Sequence, residues 1–347
     1  MKLIRYIKNK AVLTHHFLRS IWIILRLVMT YGRSDNRYIL FGAPYHPNLG
    51  DLAQTLSIKE IVKDLDRNLL SIDSITFQYF DIGTIKKFIT QNDIILFHSG
   101  YHFIDHHPEF FNYLNIVQSC KSNKVIILPQ TFNLKNPVNM KMFTNSFSCN
   151  RVTFIARDIV SFKKINELKL KLELRLHADL VTYFIQKPLI LPNPPMAFIR
   201  KLRIACILRN DLEKKINETD LKTELNKNSD IIYDVFDTNV RASVWLIDLA
   251  KRQLLVKFLK NLLEYDCIVT DRYHGMIFSV MCRKPVVVLP TNDHKIETGA
   301  KFLSEHSNFV KYCNDLTIIN DVIRVCDKIK HDVTVTLPQS DIHDILK

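Results

Sequence analysis

The chain has 347 residues, of which 47% are hydrophobic and 24% charged, and this balance excludes a disordered protein. Its length suits two domains of ordinary size better than one core. The formal net charge of +13 favours a polyanionic partner such as a nucleic acid, an anionic membrane surface or a phosphorylated substrate.

The N-terminal segment 1–33 is basic and contains no acidic residue. It is rich in Ile, Leu and Trp between positions 17 and 31, but Arg19 and Arg26 interrupt the apolar run, which is therefore too short to span a bilayer. We expect a basic amphipathic helix lying in the interface of an anionic leaflet. The alternative is an ordinary helix that packs against the first domain.

Short apolar strands alternate with amphipathic helices after this segment. In the first half, loops are expected over Ser99–Asp105 and Pro129–Thr131, after the second and third strands. The predicted strands are Tyr38–Gly42, Asp93–Phe97, Lys124–Leu128, Val152–Ile155 and Leu174–Leu176, with a helix over Leu52–Leu65.

A proline-rich linker, Lys187–Pro195, separates this half from a second alternating region. The predicted strands there are Leu202–Leu208, either Val244–Leu246 or Ile231–Val235, Cys267–Val269 and Val286–Leu289, with helices over about Leu249–Leu263 and Asp315–Ile329. The order predicts two α/β domains, 34–190 and 198–347, each built on a parallel sheet.

Polar side chains follow most of the predicted strands. Since ligands bind beyond the carboxyl ends of parallel strands, we expect the site in a cleft between the domains. The candidates at these positions are Asn48, Asp51, His98, His102, Gln130, Arg157, Asp179, Arg209, Arg272 and His274.

Arg272 and His274 lie on the turn between the strand Cys267–Val269 and a helix. The free N–H groups at a helix start hold anions, and these side chains add a fixed charge and a titratable donor. Alternatively, Thr270 or Asp271 caps the helix, His274 is satisfied in the core and Arg272 is solvated.

Three arginines, Arg157, Arg209 and Arg272, together could clamp a small anion of several charges. Asn48 and Asp51 flank a glycine that suits close backbone approach to a ligand, although Asp51 could equally cap the following helix.

Other chemistries find little support. The spacing of His98, His102 and His106 would suit a metal face on a helix, but a loop is predicted there, and no carboxylate pair completes a site. Seven scattered cysteines without a Cys-x-x-Cys pair are typical of reduced thiols in a cytoplasmic protein. The lysines lack interleaved aromatic residues, so no nucleic-acid partner is expected.

The loops, in this order, resemble those of the polysaccharide pyruvyl transferase family over residues 36–303. The resemblance rests on Asn48-Leu49-Gly50-Asp51, Leu128–Thr131, Ala156–Asp158, Ala178-Asp179, Arg209–Asp211 with Glu213, Val269–Gly275, and Lys295. It implies a GT-B-like fold of two Rossmann-like domains facing a cleft. It also implies transfer of a pyruvyl group from phosphoenolpyruvate to a sugar as a ketal.

The resemblance further implies that Arg272 and His274 act in donor binding and catalysis. Phosphoenolpyruvate carries a carboxylate and a phosphate, which suit arginines and a helix N-terminus. Protonation of its methylene carbon makes C2 cationic, so two sugar hydroxyls can add there and phosphate can leave. These steps need an acid and a base, roles that suit His274 and His102. No metal or organic cofactor is required. The expected substrate-binding residues are Arg272, Arg157, Arg209, Asn48, Asp51, Gln130 and Lys295.

One departure from the family pattern lies at His98–Asp105, where many members carry a glycine-rich loop with Asn and Asp. The histidines there leave the role of the loop open and could alter the acceptor.

We expect a lipid-linked saccharide acceptor in capsular or exopolysaccharide assembly, and a cytoplasmic enzyme that is peripheral at the inner face of the membrane. One rival is a GT-B glycosyltransferase that uses a nucleotide sugar, which should show an acidic residue for the base and ribose in its second domain. The other is a non-enzymatic membrane scaffold, in which the arginines would be dispersed.

Overall fold

The computed structural model describes residues 2–32, 37–149, 151–189, 191, 201–211, 213–239, 244–329 and 332–347. They form two compact units. The first comprises Met1–Tyr45, Ile58–Asp179 and Asp341–Lys347, and the second comprises His46–Ser57 and Leu180–Ser340. The predicted domains were continuous in sequence, whereas each unit here also takes a short segment from the opposite half of the chain.

The first unit is built on a seven-stranded parallel sheet. Its strands are β1 (Tyr38–Ala43), β2 (Leu69–Asp73), β3 (Ile94–Phe97), β4 (Gly100–Ile104), β5 (Val125–Asn133), β6 (Val152–Ala156) and β7 (Glu173–Leu176). They pair in the order β2-β1-β3-β5-β6-β7, and β4 pairs with β5. Since β2 and β3 lie on opposite sides of β1, the topological switch point falls between β1 and β3.

Two segments that were predicted as loops are strands. Gly100–Ile104 forms β4, and β5 continues through Pro129–Thr131. The reason is burial, because Phe103 of β4 is fully buried and its ring lies 5.6 Å from that of Phe143. Gly100 and Pro129 interrupt the apolar runs, so the sequence pattern does not predict either strand.

The second unit contains a five-stranded parallel sheet. Its strands are β8 (Leu202–Ile207), β9 (Ile231–Phe236), β10 (Cys267–Thr270), β11 (Val286–Val288) and β12 (Val310–Tyr312). The order β12-β11-β10-β8-β9 again places the second strand and the third on opposite sides of the first. The switch point therefore lies between β8 and β10. Of the two alternatives for the second strand, Ile231–Val235 is correct, and Val244–Leu246 is helical.

Helices flank these strands along the chain. They are α1 (Lys2–Thr30), α2 (Leu49–Asp64), α3 (Ile82–Lys86), α4 (Phe110–Ser119), α5 (Pro137–Phe147), α6 (Ile159–Glu167), α7 (Tyr183–Gln186), α8 (Glu218–Leu225), α9 (Val244–Leu262), α10 (Tyr273–Met281), α11 (Lys295–His306), α12 (Ile319–Ile329) and α13 (Ile342–Leu346). The alternation of helices with parallel strands gives both units a Rossmann-like character.

Helix α1 is longer and more apolar than expected. Its segment Lys10–Thr30 is long and apolar enough to cross a membrane by length and composition, with a mean hydropathy of 1.3, so the prediction that it is too short was wrong. One face packs on the first unit, where Arg19 Nε donates to Asp73 Oδ2 at 2.6 Å and Leu27 is buried. The other face exposes Leu18, Trp22, Leu25 and Met29.

All seven cysteines are free thiols, and only Cys149 among them is not buried. Most of the predicted linker lies outside the described residues, which include only Lys187–Leu189 and Leu191 of it.

Candidate functional site

Two of the predicted arginines meet at the switch point of the second sheet. Arg209 follows β8 and Arg272 follows β10, and these strands are hydrogen-bonded neighbours. Arg209 Nε donates to one oxygen of Asp211 and Arg272 Nη1 donates to the other, both at 2.8 Å. A single carboxylate therefore joins the two guanidinium groups.

Arg272 is also held by Asp237, which follows β9. Its Nε and Nη2 donate to the two carboxylate oxygens of Asp237 at 2.7 and 2.6 Å. Burial disfavours the charge of Arg272, but Asp237 and Asp211 outweigh this effect and raise its pKa. Arg272 is the N-cap residue of α10, so the guanidinium lies beside a helix N-terminus.

Lys295 joins the same group of charges through Glu213. Its Nζ pairs with Glu213, which also pairs with Arg209, and with Asp293 at 3.2 Å. In each pair with Asp211, Glu213 or Asp237 the cation is the more buried partner. The exposed side-chain fractions are 6% for Arg209, 11% for Arg272, 11% for Lys295, 42% for Asp211, 30% for Glu213 and 24% for Asp237.

His274 lies in the first turn of α10 and packs against Gly50. A Cβ atom at Gly50 would lie 2.0 Å from His274 Nδ1, so only glycine allows this approach. Asn48 caps α2, because its Oδ1 accepts from the backbone N–H groups of Gly50 at 2.9 Å and Asp51 at 3.3 Å. The alternative in which Asp51 caps this helix was wrong.

Asp271 bonds to the neighbouring strand instead of capping its own helix. Its Oδ1 accepts the backbone N–H of Arg209 at 2.8 Å. Burial raises the pKa of Asp271 to about 6, although Arg209 and Arg272 act in the opposite direction. The site thus contains a buried carboxyl that titrates near neutral pH.

In the first unit, Gln130 and His102 lie together beside the carboxyl end of β3. Gln130 Oε1 accepts the backbone N–H of His102 at 3.1 Å, and Gln130 Nε2 lies 3.2 Å from His102 Nδ1. Gln130 is fully buried within β5, so the loop predicted for it was wrong.

Arg157 is bonded within the first unit. Its Nη1 donates to Asp179 at 2.9 Å, and its Nε and Nη2 donate to the hydroxyl of Thr131 at 3.2 and 2.8 Å. Asp179 is fully buried, so breaking this pair would leave a buried charge. The anion-binding role of Arg157 stays a prediction.

Among the described residues, no group of three or more His, Cys, Asp or Glu side chains could hold a metal ion. His98 Nδ1 lies 2.7 Å from the Ser99 carbonyl oxygen, which can only accept, so this nitrogen carries a proton and is not a ligand.

Asp237 is the site residue that sequence reasoning missed. It follows the apolar strand Ile231–Val235, but the sequence left the position of this strand ambiguous, so no polar group could be assigned to its carboxyl end. A correct position for this strand would have identified Asp237, because it is the first polar residue after the end of β9.

A sequence model of the family described as polysaccharide pyruvyl transferase matches residues 48–294, which is more than half of the chain. This chain belongs to the polysaccharide pyruvyl transferase family. The match includes the Asn48–Asp51 segment, Arg209 and the Arg272–His274 motif, so the residues at the second switch point lie within the family region.

The chain is also similar to one further protein in sequence and to one solved structure in fold. General stress protein 30 of Bacillus subtilis (strain 168) is 22% identical over 305 residues, covering 85% of this chain and 86% of that protein. The crystal structure of an uncharacterized protein from Klebsiella pneumoniae subsp. pneumoniae NTUH-K2044 has a TM-score of 0.56 at 17% identity, covering 85% of this chain and 98% of that one. The structural likeness shows a shared fold.

Proposed function

We propose that this family member transfers the pyruvyl group of phosphoenolpyruvate to a saccharide as a ketal, in capsular or exopolysaccharide assembly. The observation that carries the proposal is the meeting of Arg209 and Arg272 on one carboxylate at the switch point of the second sheet. Two fixed cations beside a helix N-terminus suit a donor with a carboxylate and a phosphate.

Donor binding on these cations proceeds by exchange. Arg209, Arg272 and Lys295 each have carboxylate partners, so an incoming anion replaces those partners instead of meeting unpaired charge. Asp211, Glu213 and Asp237 are more exposed than the cations and lose less on turning into water. This exchange favours a dianionic or trianionic donor, which supplies enough charge to replace several carboxylates.

Asp237 bears on the nucleotide-sugar alternative. A GT-B glycosyltransferase should have an acidic residue in its second domain that binds the base and ribose, and Asp237 is an acidic residue of the second unit. Its carboxylate, however, is engaged by Arg272 through two hydrogen bonds. That engagement favours a role beside an anionic donor over a role in binding ribose hydroxyls.

A thermal-shift panel tests the donor. Phosphoenolpyruvate at increasing concentration is expected to raise the Tm, since a ligand that binds only the folded state stabilises it by mass action. Pyruvate and inorganic phosphate, each carrying one of its anionic groups, should shift the Tm less. A shift with nucleotide sugars and none with phosphoenolpyruvate would refute the assignment and favour the glycosyltransferase.

We further propose that α1 holds the enzyme at the cytoplasmic face of the membrane, where the acceptor is a lipid-linked saccharide. Leu18, Trp22, Leu25 and Met29 recur at helical spacing and are exposed, with 56% of Trp22 accessible. The opposite face is bonded to the first unit through Arg19 and Asp73. A helix held in this way lies along the bilayer interface, because crossing the bilayer would break the ion pair.

Co-sedimentation with phosphatidylglycerol vesicles tests this surface. A Trp22→Ser, Leu25→Ser double variant is expected to lose most vesicle binding while its Tm stays near that of wild type, because both side chains are exposed. Val138→Ser is the control, since Val138 is 65% exposed outside α1. Unchanged binding of the double variant would refute the role of α1. This test is preferable to deleting residues 1–33, which would remove the buried Leu27.

A further inference from the structure

The hydrogen bonds of Gln130 determine which nitrogen of a neutral His102 carries the proton. Gln130 Oε1 faces the backbone N–H of His102, and Gln130 Nε2 donates to the backbone carbonyl of His98. Because an N–H only donates and a carbonyl only accepts, the side-chain amide cannot be reversed. The Nε2 group 3.2 Å from His102 Nδ1 is therefore a donor, and His102 Nδ1 is the acceptor.

It follows that neutral His102 carries its proton on Nε2. This atom lies 3.8 Å from Oε2 of Glu109, and both side chains are 13% exposed. His102 Nδ1 is already engaged by Gln130, so His102 can take up another proton there only by breaking that contact. The sequence suggested His102 as the base. The Glu109 carboxylate, which lies opposite Nε2 of His102, suits this role better.

Glu109 is placed at the switch point by Gly42. Gly42 lies at the end of β1 with φ of 79°, and a Cβ atom there would lie 2.9 Å from Glu109 Oε2 and 1.9 Å from Tyr113 Oη. The Tyr113 hydroxyl therefore lies beside the Glu109 carboxylate and hydrogen-bonds to it. Burial and the neighbouring Glu109 carboxylate raise the pKa of Tyr113, so its hydroxyl stays protonated.

We propose that Glu109 is a catalytic base of the first unit and that His102, fixed by Gln130, is its positioning residue. The proposal rests on the proposed pyruvyl transfer. When the C=C π electrons of the donor take up a proton at the methylene carbon, C2 becomes cationic and a sugar hydroxyl oxygen bonds to it with a lone pair. The O–H bond then breaks, its electrons stay on oxygen and the proton passes to the Glu109 carboxylate. Phosphate leaves C2 with the electrons of its C–O bond, and the second hydroxyl oxygen takes its place. The titratable groups next to this carboxylate are His102 on β4 and Tyr113 on α4. His107, in the loop before α4, accepts the backbone N–H of Glu109, and its ring lies 4.6 Å from that of His102.

The tautomer of His102 can be measured without any substrate. In ¹⁵N-histidine-labelled protein at pH 8, the His102 signals, assigned by their loss in His102→Asn, should show a protonated Nε2 and an unprotonated Nδ1. In Gln130→Leu, which lacks the amide donor, this preference should weaken. A protonated Nδ1 in wild type would overturn the proposal, whether or not the donor is phosphoenolpyruvate.

Glu109→Gln tests the base itself. Glu109 makes no side-chain capping bond to α4, and glutamine keeps an oxygen that can accept from the Tyr113 hydroxyl, so this isosteric change should alter the Tm little. The kcat is expected to fall by about 10²- to 10³-fold, with the KM for phosphoenolpyruvate within about twofold. Glu109→Asp should recover part of the rate.

Glu167→Gln, which changes an exposed glutamate at the end of α6, is the matched control and should behave as wild type. Wild-type kcat in Glu109→Gln, or an equal loss in both variants, would overturn the assignment of the base. A wild-type protein that transfers no pyruvyl group would contradict the proposed function instead, and the tautomer measurement would still decide the geometry around Glu109.

Discussion

The two switch points share a topology and differ in their chemistry. In both sheets the second and third strands flank the first, so both present a ligand-binding position at the carboxyl ends of neighbouring strands. At β8 and β10 this position holds the permanently charged Arg209 and Arg272. At β1 and β3 it holds His102, Gln130 and Glu109, which exchange or orient protons.

The shared topology determines where a ligand can bind in each unit, whereas the side chains at that position determine its chemistry. A guanidinium remains charged at any physiological pH and suits the holding of an anion. An imidazole changes protonation near neutrality and a carboxylate can accept a proton, so both groups suit proton transfer. The residues proposed to bind the donor therefore lie in the second unit, and the proposed base lies in the first.

Arg272→Ala should give the largest effect on this division of roles. It removes three donors from the second switch point and leaves Asp237 and Asp211 without this partner, so pyruvyl transfer is expected to fall by about 10³-fold. Arg203→Ala is the control, because Arg203 lies at the start of β8 and pairs with exposed carboxylates. Equal rates for the two variants in a transfer assay would break the comparison.

Gly50→Ala should separate His274 from the arginines. The added methyl would occupy the space of the imidazole, so kcat is expected to fall by about 10²-fold through misplacement of His274. The binding-induced thermal shift with phosphoenolpyruvate should persist, since Arg209 and Arg272 are untouched. Gly83→Ala adds a methyl that meets only Asp81 Oδ1, at 3.0 Å, and should leave kcat unchanged. Wild-type kcat in Gly50→Ala would show that the position of His274 is unimportant.

Asp271→Asn should stabilise the protein in a pH-dependent way. The folded-state pKa of about 6 lies above the ordinary 3.8, so the stability that protonated Asp271 contributes is lost as pH rises through 6. That difference corresponds to at most about 3 kcal/mol. Asparagine keeps the acceptor for the Arg209 N–H, so urea unfolding should show a gain at pH 8 that shrinks towards pH 4. A gain of equal size at both pH values would argue against the raised pKa.

Gly42→Ala should give the smallest effect and act on the first switch point. Alanine at a φ of 79° costs about 1–2 kcal/mol, and its Cβ would strike the Tyr113 hydroxyl. A double variant with Tyr113→Phe removes the struck atom and should recover part of the loss in the free energy of unfolding. Additive losses in the two single variants and the double variant would show that Gly42 and Tyr113 are not in contact.

Much of this architecture could be predicted from local sequence. Apolar runs such as Tyr38–Gly42 and Cys267–Val269 are strands because a parallel sheet buries both of its faces. The positions of Arg209 and Arg272 after two such strands were also readable. Strand β4 was not, because Phe103 is recognisable as a core residue only once its aromatic neighbours are in place.

The sequence by itself determined the alternation of strands and helices, the basic N-terminal segment and the family motif around Arg272, because each depends on residues close together in the chain. Only the tertiary structure decided that Asp237 and Asp211 pair with Arg272, and that the Gln130 amide lies against Nδ1 of His102. These contacts join residues tens of positions apart. Strand order, which brings them together, depends on the packing of the whole sheet and cannot be read from any local pattern.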